Sequence, residues 1–178
     1  MIWAAVLIVL LVGYVFFYNQ LVKLEALVGE ALNNLNLHLE RRRDLTPLLV
    51  ETVKNGHNQI KLVAETAELH RQLVNISDFE QQQSLENKLE NTLRQLLAAA
   101  ENESTLKNDA RFRQLRQDLA TVETELQQAC RDYNAAVRDY NVALHTVPSC
   151  WIAKTMKAVE KKFFETELRS HPDKAPLH

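Results

Sequence analysis

The sequence predicts an all-α protein: an N-terminal transmembrane helix continuing into an antiparallel four-helix bundle, with a C-terminal amphipathic helix. Three observations predict it. Only three Gly and four Pro are spread over 178 residues, so turns are few and elements long. β-branched and aromatic residues do not alternate with polar ones, so strand patterning is nearly absent. Apolar residues recur at steps of three and four along every long segment. The length fits one domain plus a short appendage. A net charge of −2 gives no basic field, so nucleic acid is not a favoured partner.

The first element is the apolar run from Ile2 to Tyr18, which carries no charged residue. A run of about 18 apolar residues can span a bilayer. Trp3 at one end and Tyr14 and Tyr18 toward the other suit the two interfaces. There is no basic segment before the run and no small-x-small cleavage site after it, so an uncleaved anchor is expected over residues 1–20. Lys23 follows the span closely, which by the positive-inside tendency leaves the N-terminus outside and the rest in the cytoplasm. The expected location is the cell (inner) membrane, single-pass.

No linker follows. Leu21, Leu24, Val28, Ala31 or Leu32, Leu35 and Leu39 continue a helical stripe out of the bilayer. Anchor and first bundle helix are expected to form one rod reaching roughly 36 Å above the membrane. The segment Arg41-Arg42-Arg43-Asp44-Leu45-Thr46-Pro47 is expected to end or kink it. Proline restricts the residue before it and suits a first helical position, with Thr46 as cap. The arginines read either as a solvated helix end or, with Asp44, as a docking site for an acidic partner.

A second helix is expected from Pro47 to Val74, its stripe running through Leu49 or Val50, Val53, Ile60 and Val63 or Ala64, with Asn55-Gly56 as a weak point. Asn75-Ile76-Ser77-Asp78 carries the caps of a third helix, whose stripe is Leu85, Leu89, Leu93, Leu96 or Leu97 and Ala100. Asn102-Glu103-Ser104 is the next turn.

The longest element begins near Leu106 or Asp109. One of its rows reads Phe112, Leu119, Leu126, Tyr133, Tyr140, Val147, and the row beside it Leu115, Val122, Ala129, Ala136, Ala143. It contains the one internal repeat, Arg131-Asp132-Tyr133-Asn134 and Arg138-Asp139-Tyr140-Asn141. Both tyrosines fall on the buried row, where each phenol needs a hydrogen-bond partner. A packed seam and a ligand-sensing site are both compatible with this pattern. Asn134 and Asn141 stand beside the seam and can bond across it or face another subunit.

Short connections make successive helices antiparallel, which returns Pro148-Ser149 to the bilayer surface. There Trp151, Ile152, Lys154, Met156, Lys157, Lys161, Lys162, Phe163 and Phe164 form a basic, aromatic segment. Ile152, Met156, Val159 and Phe163 share one helical face, as in an interfacial helix, and the same face could instead pack on the bundle. The expected organisation is anchor 1–20, bundle 21–148, amphipathic helix 149–169 and flexible tail 170–178.

No catalytic constellation is legible. There is no glycine-rich phosphate loop and no His-Glu-x-x-His helix, and the six His are scattered. Cys130 and Cys150 are expected as free thiols, since a helix running to Val147 would hold Cys130 roughly 25 Å from its end, too far for a disulfide. The reading is of a protein with no catalytic residue, cofactor or metal.

Several motifs resemble the LemA family. They are Tyr18-Asn19-Gln20-Leu21-Val22, the run Arg41-Arg42-Arg43-Asp44-Leu45-Thr46-Pro47 continuing to Lys54, and Leu106-Lys107. The double Asp-Tyr-Asn repeat ending in Pro148-Ser149 and the closing Phe163-Phe164-Glu165 complete the set. The chain departs from the family pattern at Asn55-Gly56, at Glu103-Ser104 and in the lysine-rich stretch after Cys150. The resemblance implies a small anchored protein with an antiparallel four-helix domain and no established activity or cofactor. Its members are associated with membrane proteases or membrane shaping. The expected function is a non-enzymatic scaffold that organises membrane proteins, such as a membrane protease, as a homo-oligomer. The alternatives are direct membrane remodelling through the tail and a ligand-sensing bundle.

Overall fold

The structure, a computed structural model, describes residues 2–54, 60–76 and 78–165. The described residues form six helices: α1 Ile2–Val53, α2 Ile60–Val74, α3 Phe79–Glu101, α4 Ser104–Lys107, α5 Ala110–His145 and α6 Ser149–Met156. The chain divides into two compact units. One joins α1 up to Leu35 to Ala129–Phe164, and the other is built on Asn36–Gln128.

In the first unit, Leu21, Val28 and Leu35 are buried on α1, as the stripe requires. Toward the N-terminus the same helix buries nothing: Trp3 is 83% exposed and Leu10 64%. Its most apolar window has no buried share, so no other described part of the chain buries it. That run is long and apolar enough to cross a membrane. Opposite α1, α5 buries Ala129, Tyr133, Val137, Tyr140 and Leu144. Ala129, Tyr133 and Tyr140 are buried as expected, whereas Val137 and Leu144 are buried where Ala136 and Ala143 were expected, one residue further on. A straight helix drifts about 20° per heptad, so a seam beginning at Phe112 has swung about one position four heptads later. Val147, expected on the seam, lies beyond the end of α5 and is exposed.

In the second unit, five helical segments share one core of Leu49, Val53, Leu69, Leu73, Leu89, Leu93, Leu96, Ala100, Leu106, Phe112 and Leu119. Ion pairs give their directions. Arg42 meets Glu123 and Glu51 meets Arg111, so α1 and α5 run antiparallel here. Arg116 meets Glu101, which sets the end of α3 beside the start of α5. Caps place the helix starts: Asp78 Oδ2 accepts from Gln81 N at 3.0 Å, and Asp109 Oδ1 accepts from Arg111 N and Phe112 N.

Two expectations are corrected here. Pro47 neither ends α1 nor opens a new helix, because α1 runs through it to Val53. Thr46 is not a cap; its hydroxyl donates to Arg42 O at 2.8 Å from within the helix. α1 ends at Val53, and Asn55-Gly56 lies outside the described residues. A helical phase does not carry past the end of a helix, and Ile60, expected in the stripe, is 73% exposed. The tail also differs from a helix over 149–169, because α6 stops at Met156. Lys157 follows with φ 52°, in the left-handed region, and residues 158–165 have no regular structure. Ile152 is buried, but Val159 and Phe163 are exposed, so the expected single apolar face does not form.

Candidate functional site

The double repeat on α5 is the site that the fold builds most specifically. Arg131, Asp132, Arg138 and Asp139 face outward, whereas Tyr133, Asn134, Tyr140 and Asn141 turn toward the segment that follows α6. Asn141 Nδ2 donates to Lys161 O at 2.9 Å, and Lys161 N donates back to Asn141 Oδ1 at 2.9 Å. Asn134 does the same for Phe164, with both bonds at 2.8 Å. Tyr133 donates its hydroxyl to Lys162 O at 2.8 Å. Each asparagine amide thus presents one donor and one acceptor to one residue's backbone, as a neighbouring β-strand would.

The spacing explains the repeat. Seven helical residues rise about 10.5 Å, and three extended residues span about 10 Å. Asparagines seven apart on α5 therefore match backbone groups three apart on an extended chain running the opposite way. That chain, residues 158–164, forms a strap in which the N–H and C=O of Lys161 and Phe164 and the C=O of Lys162 find partners on α5 without a helix or sheet of their own.

Side chains add to the backbone pairing. Phe164 is buried and Phe163 points out, the alternation of extended chain. Lys161 Nζ donates to Glu25 Oε1 at 2.7 Å and lies 5.6 Å from the centre of the Tyr140 ring. The Glu25 carboxylate raises the Lys161 pKa above its ordinary value. Burial raises that of Tyr133, and that of Tyr140 through the same cause with Glu25 beside it. His145 and Glu160 meet at 2.6 Å at the exposed end. Tyr140 is 1% exposed, yet its hydroxyl has no hydrogen-bond partner among the described residues. Of the two phenols expected to find partners, only Tyr133 does. The strap lies along the tyrosine face where a ligand-sensing site was the alternative reading.

The second cluster lies in the second unit. Arg42 is buried, which corrects its placement on a solvated helix end or an exposed docking site. Its guanidinium donates to Glu86 Oε2 at 2.6 Å and Glu86 O at 3.2 Å, and stands 3.7 Å from Glu90 and 3.5 Å from Glu123. Arg43 is half-buried, 3.6 Å from the second Glu86 oxygen, whereas Arg41 pairs with Glu125 at the surface and Asp44 is exposed. The carboxylates lie 44 and 81 residues away, so no local pattern announced them. A cavity of about 220 Å³ adjoins the cluster.

At the remaining positions, Ile152 is buried, Met156 is half-buried, and Trp151, Lys154, Lys157 and Lys162 are exposed. Tyr14 Oη and Thr155 Oγ1 approach to 3.5 Å, which sets α6 beside the apolar part of α1. Cys130 is buried and Cys150 half-buried, and the two are not joined in a disulfide.

These features define a class: an all-α protein with a membrane-length apolar helix that passes without a linker into its folded part, and with a paired Tyr-Asn face on its second-longest helix. The chain belongs to the LemA family, whose model matches residues 31–176. The match begins after the apolar run and includes the whole double repeat. Comparison with curated proteins finds no match.

Proposed function

We propose that this protein is a non-enzymatic, single-span membrane scaffold that recruits or organises membrane-protein partners, such as a membrane protease, and works as an oligomer. It sits in the bacterial inner membrane with its N-terminus outside and its helical part in the cytoplasm. The observation that carries this reading is the continuity of α1: one helix holds the uncovered apolar run and then the buried positions Leu21, Val28 and Leu35. An apolar surface of that extent is costly in water and is covered by lipid at no cost to the fold. A domain fixed to its anchor without a linker presents its surfaces at a set height and orientation, as a scaffold requires. Lys23 beside the span supports the orientation.

Cross-linking in native membranes, followed by detergent purification of the full-length protein, tests this. The reading expects adducts with itself and with at least one membrane protein. A strict monomer with no co-purifying partner overturns it.

Membrane remodelling through the tail loses its continuous amphipathic helix, since α6 has eight residues. A smaller role keeps support: α6, with exposed Trp151 and its closeness to Tyr14, suits a seat at the bilayer surface.

A further inference from the structure

We infer that the Tyr-Asn face of α5 is a receptor for an extended peptide of a partner protein, and that the strap is its resident, displaceable occupant. The inference rests on the scaffold reading and names the surface and the partner chemistry. Three observations lead to it.

First, the face reads main chain. Asn134 and Asn141 each pair with the N–H and C=O of one residue, which any extended segment can supply. Second, side-chain selection occurs at two places: Glu25 and the Tyr140 ring take a cation, and a buried position takes an aromatic ring three residues later. The strap meets both with Lys161 and Phe164.

Third, the face has one more rung than the strap uses. Tyr133 precedes Asn134 and bonds Lys162 O, two residues before Phe164. Tyr140 precedes Asn141, and the same register assigns it the carbonyl two residues before Lys161, that of Val159. That bond is not made, and the Tyr140 hydroxyl is left buried and unpaired. The strap has only just left the left-handed turn at Lys157 and is off register there. A segment that arrives already extended can place a carbonyl on Tyr140. The site therefore fits a continuous peptide better than it fits the tail now in it. Its ligand is an extended stretch with a backbone acceptor at the first position, Lys at the third and an aromatic residue at the sixth.

The test uses the full-length chain in detergent micelles, with its strap weakened by Lys161→Ala and Phe164→Ala. The probe is a fluorescein-labelled peptide with the sequence of residues 156–165, compared with one covering 161–165. The longer probe is expected to bind about fivefold tighter, the worth of one added hydrogen bond. Tyr140→Phe erases that difference. Asn134→Ala with Asn141→Ala abolishes binding of both probes, and N-methylation of the probe at the Lys161 and Phe164 positions does the same. The wild-type chain binds more weakly than the strap-weakened one, because its own strap occupies the face.

No binding to a strap-weakened chain that keeps its helical circular dichroism, equal binding of the N-methylated probe, or a length difference that survives Tyr140→Phe overturns the inference. So does a wild-type dimer that Asn134→Ala/Asn141→Ala dissociates, which would assign the face to a second copy's strap. Membrane partners that cross-link equally to wild-type and Asn-substituted chains would leave the scaffold reading intact while removing this site from it.

Discussion

Arg42 and Asn141 show how differently two polar side chains can be held. Arg42 is out of water beside Glu86, Glu90 and Glu123, where removing one partner leaves uncompensated charge. Arg42→Ala should destabilise the protein by about 3–5 kcal/mol, measured by denaturant unfolding. The apolar pair Arg42→Met with Glu86→Leu should recover much of that loss, and a double variant no better than Arg42→Ala would contradict the buried-pair account. The strap's polar contacts are partly exposed and titrate. Lys161 and both tyrosines have raised pKa values, so the folded state favours their protonated forms. Their contribution is complete below the ordinary values and is lost as pH rises through the elevated ones. The strap should therefore hold at neutral pH and begin to loosen only above pH 10.0, the ordinary tyrosine value. Tyrosinate absorbance should develop later in the wild type than in Glu25→Gln, and coincident titrations would sink this. Neither site was fully legible beforehand. The repeat marked Tyr133 and Asn134 as special, but their partner is a segment whose sequence reads as a helix. Arg42 looked like one of three equivalent surface arginines, because burial at long range leaves no local trace.

At the scale of elements, periodicity located the helices, and local stop signals misplaced two boundaries. The stripes through Leu21, Val28 and Leu35 and through Leu89, Leu93 and Leu96 are buried as the spacing required. Pro47 did not stop α1, because tertiary contacts on both sides, Arg42 with Glu86 and Leu49 in the core, hold the helix across one missing hydrogen bond. Pro47→Ala restores that bond. The helix gains up to about 3 kcal/mol and the unfolded chain regains about 0.4–1 kcal/mol of entropy, so a net rise of about 1–2 kcal/mol is expected in thermal unfolding. A drop would mean that α1 bends at Pro47 for a reason the side-chain contacts do not reveal. In the tail the reverse happened. Ile152, Met156, Val159 and Phe163 have helical spacing, yet α5 offers the backbone after Lys157 a better set of partners than its own next turn does. α6 itself should lie at the membrane surface. In a Trp3→Phe chain Trp151 is the only tryptophan, since the sequence has two. Brominated lipids should quench its fluorescence in reconstituted vesicles, and unquenched emission would place α6 away from the bilayer.

For the whole molecule, the fold class and the membrane-length apolar run were readable because both depend on composition and period over long windows. The proposed peptide-binding face exists only once a distant strap is laid across α5. The most direct measurement is cross-linking yield in native membranes for three full-length chains: wild type, Lys161→Ala/Phe164→Ala and Asn134→Ala/Asn141→Ala. A scaffold that recruits partners through its α5 face should give more partner adduct when its strap is weakened and little when the asparagines are removed. Equal yields from all three chains would contradict recruitment through the α5 face, and no adduct from any would contradict the scaffold reading itself.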